Sequence, residues 1–500
     1  MLIIQTQFWL VLWPLLLLIS FFMTRSKLAI RQWFWIFASL GLYAIADLGG
    51  MPWLLVSLLF NGLIVAQLLH GGQRRKILIA VSVAMNVGWM LIPAFRGGGD
   101  FGGSLFSHLA LSFLSLRQIW LLRDIYEKRV KSLSARSYLL FMLFFPHLLM
   151  GPLARLGDLQ KQFDHEDFAR PNLSLINPAL ILIACGLFKK LIIADSLAGP
   201  VIGAMIAVSD GNVLSFLEAW TVLLAFQLQL YFDFSAYSDI AIGLALMLGI
   251  NLPLNFFSPY RAFDRLDVWR RWHLGFVAFL KYNLFLPLRR YFAVPVLVAI
   301  VGFASGMWHG VSLNFMLWSV AQAFLLLVSH ERRRLLRRFN LPSEGKGFRR
   351  VMQSFWVITI SSFVGVFFIS TDISQTIAIM HSALWPDQLG IPAHWLSKLG
   401  FHDWASGTET VRSVMPAWLI IALPILFAWV LFLPNAAQLL RERVKFLTLE
   451  RDTQLLLEQT TPSRWATKLP PAFWPVVSAM VIVYSLWLSD SAARFIYMRF

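Results

Sequence analysis

Two histidines stand in aromatic settings. His273 closes "WRRWH" (269–273), and His309 sits in "GFASGMWHGVSL" (302–313), an otherwise apolar and small-residue stretch. Imidazole is the side chain best suited to take a proton near neutral pH. Apolar surroundings favour its neutral, basic form. A hydroxyl that attacks an acyl carbonyl needs such a base. His309 is flanked by Trp308 and Gly310, and ionisable residues in apolar segments face cavities and mark functional paths. The bland alternative is a neutral ring bonded to a backbone carbonyl. For His273 it is an interfacial histidine at the headgroup level. Ser305 precedes His309 by four residues, so a Ser–His nucleophilic pair is conceivable on a helix. A serine in a small-residue stripe ordinarily packs, and Gly302, Gly306 and Gly310 form such a stripe. The same stripe would also let a ligand approach the backbone closely.

The densest charge near an apolar run is "FSPYRAFDRLDVWRRWHLGFVAF" (257–279), with Arg261, Arg265, Arg270, Arg271, Asp264 and Asp267. Each charge costs about 2.5–3.5 kcal/mol at a bilayer centre, so an interfacial or re-entrant helix is expected. Asp267 and Arg271 are four apart and pair on a helix. Helical spacing puts Leu266, Trp269, His273 and Phe276 on one face. Upstream, "YFDFSAYSDIAIG" (231–243) carries Asp233 and Asp239. They are expected to pair with the arginines, or else Asp233 and Ser235 cap a helix. No H-E-x-x-H, EF-hand loop or Cys/His cluster occurs, so no metal is expected.

The elements that must position these groups are membrane helices. The chain has 500 residues, 58% hydrophobic and 14% charged, with mean hydropathy +0.67. Many apolar runs reach the ~20 residues a spanning helix needs. The first, "MLIIQTQFWLVLWPLLLLISFF", lacks a basic leader region and a small-residue cleavage site, so it reads as a membrane helix. One cysteine, Cys185, excludes a disulfide framework. The formal charge of +17 falls between apolar runs, which fits the positive-inside rule rather than nucleic-acid binding.

Expected spans are 7–23, 32–47, 51–70, 77–95, 104–122, 137–153, 174–194, 212–232, 234–250, 272–288, 292–308, 310–329, 351–370, 416–434 and 471–489, some of them re-entrant. The basic run "HERRRLLRRFNLPSEGKGFRR" (330–350) places that segment in the cytoplasm. It follows that 371–415 lies outside and that 435–470 is cytoplasmic and holds a charged helix. "RGGGDFGG" (96–103) lacks the flanking strand and Lys-Ser/Thr of a phosphate loop and reads as a turn. The whole chain, 1–500, reads as one all-α polytopic membrane domain of 11–15 spanning or re-entrant helices. No internal repeat is visible.

The ordered motifs resemble the membrane-bound O-acyltransferase family, most closely its bacterial alginate O-acetyltransferase branch. "FDFSAYSDIAIG" (232–243), "NF" (255–256), "PY" (259–260), "WRRWH" (269–273) and "MWHG" (307–310) follow the family's order. "SFLSLRQIWLLRDIY" (112–126), "FPHLLMGPLARLGDL" (145–159), "FKKLIIADSLAGPV" (188–201) and the terminal "FIYMRF" (495–500) are similar to further family segments, so the core is expected over 105–330. The chain departs in reading "VAFLKYNLFLPLRRYF" after "WRRWH", and in having Arg117 where the family has Gln. The resemblance implies helices around a central funnel or tunnel, with His309 and His273 as catalytic residues. It implies an acyl thioester, acetyl-CoA foremost, as donor from the cytoplasmic side of a bacterial inner membrane. A polysaccharide or a periplasmic acyltransferase partner receives the acyl group. Arg270, Arg271, Asp239 and Trp308 are the expected substrate-binding residues. Alternatives are D-alanyl transfer to teichoic acid, peptidoglycan O-acetylation, a transporter of lipid-linked sugar, and a structural subunit of an acetylation complex.

Overall fold

The computed structural model describes residues 3, 5–95, 105–148, 150–170, 172–310, 312–385, 415–459 and 473–488. The Gly-rich turn 96–103, most of the 371–415 segment and the terminal "FIYMRF" lie outside them. Seven described helices are long and apolar enough to cross a membrane. These are Phe8–Arg25, Leu28–Ala46, Met51–His70, Ser174–Ser209, Phe216–Met247, Leu313–Arg338 and Phe348–Ile369. Four shorter apolar helices accompany them: Leu274–Leu288, Val294–Met307, Trp418–Phe432 and Val476–Leu488. The protein is an all-α, multi-pass membrane protein, and its described β content is one isolated bridge, Pro253 to Leu447.

Helix α1 (Leu173–Leu187) passes through a π-helical stretch, Phe188–Ala194, into α2 (Asp195–Ser209). Helix α3 (Phe216–Met247) follows and is buried over most of its length. It starts at a capping box, in which Ser215 Oγ accepts from the Glu218 N–H and the Glu218 carboxylate accepts from the Ser215 N–H. Two spans, 212–232 and 234–250, were expected here, and the structure joins them. At ~1.5 Å per residue its 32 residues reach about 48 Å, well beyond the ~30 Å hydrocarbon core.

Asp233 and Asp239 are therefore mid-helix and cap nothing. Their partners are lysines from the π-helical stretch, not arginines. Lys189 Nζ lies 2.6 Å from Asp239, and Lys190 Nζ lies 3.0 Å from Asp233 and 2.7 Å from Asp195. Extra residues in a π turn rotate consecutive side chains, so both lysines meet carboxylates. Glycines bring the two helices close enough. A Cβ on Gly186 would lie 2.7 Å from Ala236 O, and one on Gly243 would lie 2.8 Å from Ala179 O.

Helices α4 (Arg265–Trp269) and α5 (Leu274–Leu280) flank "RRWH". One continuous helical face through Leu266, Trp269, His273 and Phe276 does not form, because His273 adopts φ +45 and breaks the helix. Helix α6 (Val294–Met307) packs along α7 (Leu313–Arg338). The small-residue stripe is the contact: a Cβ on Gly302 would lie 2.7 Å from Ala323 Cα, and one on Gly306 would lie 2.8 Å from Ser319 Cβ. Thus α7 fills the space at Gly302 and Gly306 that a ligand would have needed. The basic run 331–338 forms the last turns of α7. Helix α8 (Phe348–Val364) completes the wall. Among the described residues, 435–459 forms no single charged helix. It holds two short helices, Ala436–Leu440 and Arg451–Gln459, with Leu447 of the bridge between them.

Candidate active site

His309 follows the end of α6, where its N–H bonds Gly306 O at 3.0 Å. Gly310 next has φ +152, a conformation open to glycine, and turns the chain towards α7. The His309 ring sits among aromatic rings, with centroids 4.2 Å from Trp308, 4.8 Å from Phe368 and 5.7 Å from Trp318. The Ser305–His309 pair does not form, because Ser305 Oγ donates to Gly302 O at 2.7 Å within its own helix.

His273 is 3% exposed. Its left-handed backbone costs about 1–3 kcal/mol and is held by flanking bonds. The Phe257 N–H donates to Arg271 O at 2.8 Å, and the Leu274 N–H to Asn255 O at 2.9 Å. The ring is oriented by a relay. Ser238 Oγ donates to Phe234 O at 3.2 Å, and Asn255 Nδ2 donates to Ser238 Oγ at 3.0 Å. Asn255 Oδ1 then accepts from His273 Nδ1 at 3.0 Å. With Nδ1 carrying the proton, Nε2 presents its lone pair.

The two histidines line one cavity of about 100 Å³, with Trp308, Arg265, Tyr260 and Phe276 among its other walls. Three buried polar atoms of these walls have no hydrogen-bond partner among the described residues: His273 Nε2, Trp308 Nε1 and Arg265 Nε. Native interiors satisfy nearly all such atoms, so a group of them around one cavity implies a polar occupant. They supply one acceptor, one neutral donor and one cation. Arg265 is otherwise held by neutral partners, Ser361 Oγ at 2.8 Å and Gln322 Oε1. A space of this size takes several waters or a short acyl group.

Of the expected substrate-binding residues, Trp308 alone joins the histidines. Arg270 is exposed and lies 3.5 Å from Asp452. Arg271 pairs with Asp267 at 3.1 Å, as their spacing requires, but faces a separate recess. Asp239 lies beside a different, very small cavity. Arg265 and Asn255 were not singled out as site residues, although both lie inside quoted motifs. Arg265 carried a signal, a fourth arginine in a segment with two carboxylates. Asn255 carried none beyond its place in "NF". No group of His, Cys, Asp and Glu suited to a metal occurs among the described residues.

If the relay sets the tautomer of His273, Asn255→Leu will lower turnover about tenfold, the cost of one orienting hydrogen bond. Asn255→Asp, which keeps the accepting oxygen, will lose less. Equal losses in steady-state assays of the two variants would remove the orienting role.

A family model for membrane-bound O-acyltransferases matches residues 106–370, which include the whole cavity. The peptidoglycan O-acetyltransferase of Helicobacter pylori is 32% identical over 362 residues, covering 63% of this chain and 67% of that protein. A probable alginate O-acetylase of Azotobacter vinelandii is 34% identical over 218 residues, 42% of each chain. The teichoic acid D-alanyltransferase of Streptococcus thermophilus is 24% identical over 279 residues, covering 52% of this chain and 66% of that protein. With the family model spanning more than half of its length, both histidines on one cavity and helices throughout, the chain belongs to the membrane-bound O-acyltransferase family.

Proposed function

We propose that the protein moves an acetyl group from a cytoplasmic thioester donor, acetyl-CoA, towards hydroxyls of an exported polysaccharide, in a bacterial inner membrane. The observation that carries this reading is the small cavity shared by His309 and His273, with its unmatched acceptor, donor and cation. His309 takes the proton of the acceptor hydroxyl as that oxygen attacks the thioester carbonyl. The new C–O bond forms, the C–S bond breaks, and the proton passes to the departing thiolate, giving ester and thiol. The Trp308 N–H and the Arg265 guanidinium are suited to the negative charge that develops on the carbonyl oxygen. The neutral Nε2 of His273 accepts a hydrogen bond from a donor on the bound substrates other than the reacting hydroxyl, whose proton goes to His309. The acceptor hydroxyl belongs to the polymer or to a periplasmic acyltransferase partner.

Peptidoglycan O-acetylation is the second reading, favoured by the Helicobacter relative, 67% of which is covered. The experiment is reconstitution in proteoliposomes with labelled acetyl-CoA on one side and polysaccharide or peptidoglycan fragments, with and without a periplasmic partner, on the other. Label is expected in glycan hydroxyl esters. Glycan crossing the bilayer with no acyl turnover would instead support a transporter.

A further inference from the structure

A second recess, of about 400 Å³, lies against the same helices. Arg261, Arg271 and Arg350 line it, with Ser354 between apolar walls. These guanidiniums are short of counter-charge. Asp267 is shared between Arg271 at 3.1 Å and Arg350 at 3.8 Å, and Arg350 also meets the exposed Glu344 at 3.0 Å. Asp264, the neighbouring carboxylate, is taken by Arg333 at 2.6 Å, with Arg332 at 3.9 Å. Arg261 has no ion pair among the described residues. Its Nη2 donates to Leu433 O at 2.5 Å, and its buried Nε has no hydrogen-bond partner among them. Arginines gathered in a recess without matching carboxylates suit a phosphate, which accepts the planar fork of N–H groups.

The recess and the histidine cavity share three structural elements. In the 3₁₀ turn Pro259–Arg261, Pro259 and Tyr260 line the cavity and Arg261 lines the recess. Around α4, Arg265 and Val268 face the cavity while Arg271 faces the recess. On α8, Arg350 and Ser354 line the recess, and Val357 and Ser361 line the cavity. At ~100° per residue these four fall within an arc of about 60° on one face of α8, and the rise from Arg350 to Ser361 is about 16 Å. One helix face therefore joins an arginine recess to the proposed reaction chamber.

We infer that this recess holds a phosphate group of the acyl donor, while the donor's thioester end reaches the His309 cavity along α8. This rests on the proposed thioester donor. What it adds is the place of the donor phosphate, against Arg261, Arg271 and Arg350.

The test is binding of unacylated coenzyme A to the full-length protein in zwitterionic nanodiscs, followed by calorimetry, with pyrophosphate as competitor. Wild type is expected to bind and to release coenzyme A to pyrophosphate. Arg261→Gln is expected to weaken binding about tenfold or more, the loss of a charged hydrogen bond, with Arg261→Lys intermediate. Arg261 makes no ion pair among the described residues, so the thermal midpoint of this variant should stay near wild type. Unchanged affinity in Arg261→Gln overturns the assignment. So does an absence of coenzyme A binding by wild type, including the case in which only anionic-lipid nanodiscs show an Arg261-dependent effect. If coenzyme A binds through Arg261 but acetyl-CoA supports no transfer, the recess stands and the proposed function falls.

Discussion

His309→Ala will abolish most acyl transfer, by a factor of about 10²–10⁴, the usual contribution of a positioned general base. The ring is held by aromatic contacts with Trp308, Phe368 and Trp318. Truncation also opens space there, so folding must be followed alongside activity. The control is the thermal midpoint of the purified protein, together with coenzyme A binding. His309→Gln fills more of the site but cannot act as a base, and it should be nearly as inactive as the alanine variant. Initial rates of label transfer at equal membrane abundance decide the matter. If His309→Gln turns over at wild-type rate, the base is elsewhere, and His273, with its oriented Nε2, becomes the first candidate.

The second large effect is on stability. Lys190→Met preserves the aliphatic stem but leaves Asp233 and Asp195 without their shared cation. Lys190 is 3% exposed and Asp233 1%. Breaking a buried ion pair by removing one partner costs about 3–5 kcal/mol, because the remaining charge stays buried and unmatched. The expected result is a large fall in the unfolding midpoint in detergent and a lower yield in membranes. The double variant Lys190→Met with Asp233→Leu should recover part of the loss, since removing both partners leaves one less orphan charge. A single variant as stable as wild type would mean that the Lys190–Asp233–Asp195 cluster does not brace α3 against the π-helical stretch.

These two sites show how differently the sequence and the fold contribute. Apolar run length fixes helices, because a bilayer leaves backbone groups no other partner. That argument located the seven long apolar helices, but it divided Phe216–Met247 into two spans and expected one over 137–153, where the chain forms the short helices Ala135–Leu143 and Phe145–Leu148. The ordered motifs pointed to His273 and His309 as residues of one site, and the Asp267–Arg271 pair followed from spacing of four on a helical turn. Distance within a motif did not decide direction. Arg270 and Arg271 are neighbours, yet one meets Asp452 at the surface and the other turns to a recess. Asp233 and Asp239 carried no sign of lysine partners, since the π-helical register of Phe188–Ala194 chooses them.

What the sequence by itself determined was therefore the class of protein, most of the run of helices and the two motif histidines that the structure brings to one cavity. These are local properties, set by hydrophobic length and by residue type. What only the tertiary structure decided was which polar atoms meet at the cavity. The left-handed break at His273, the Asn255 relay, the filling of the Gly302 and Gly306 stripe by α7 and the placing of Arg265 all depend on contacts between segments far apart in the chain. A linear pattern does not encode such contacts one residue at a time, because helix packing fixes each side chain's direction only once its neighbours are in place.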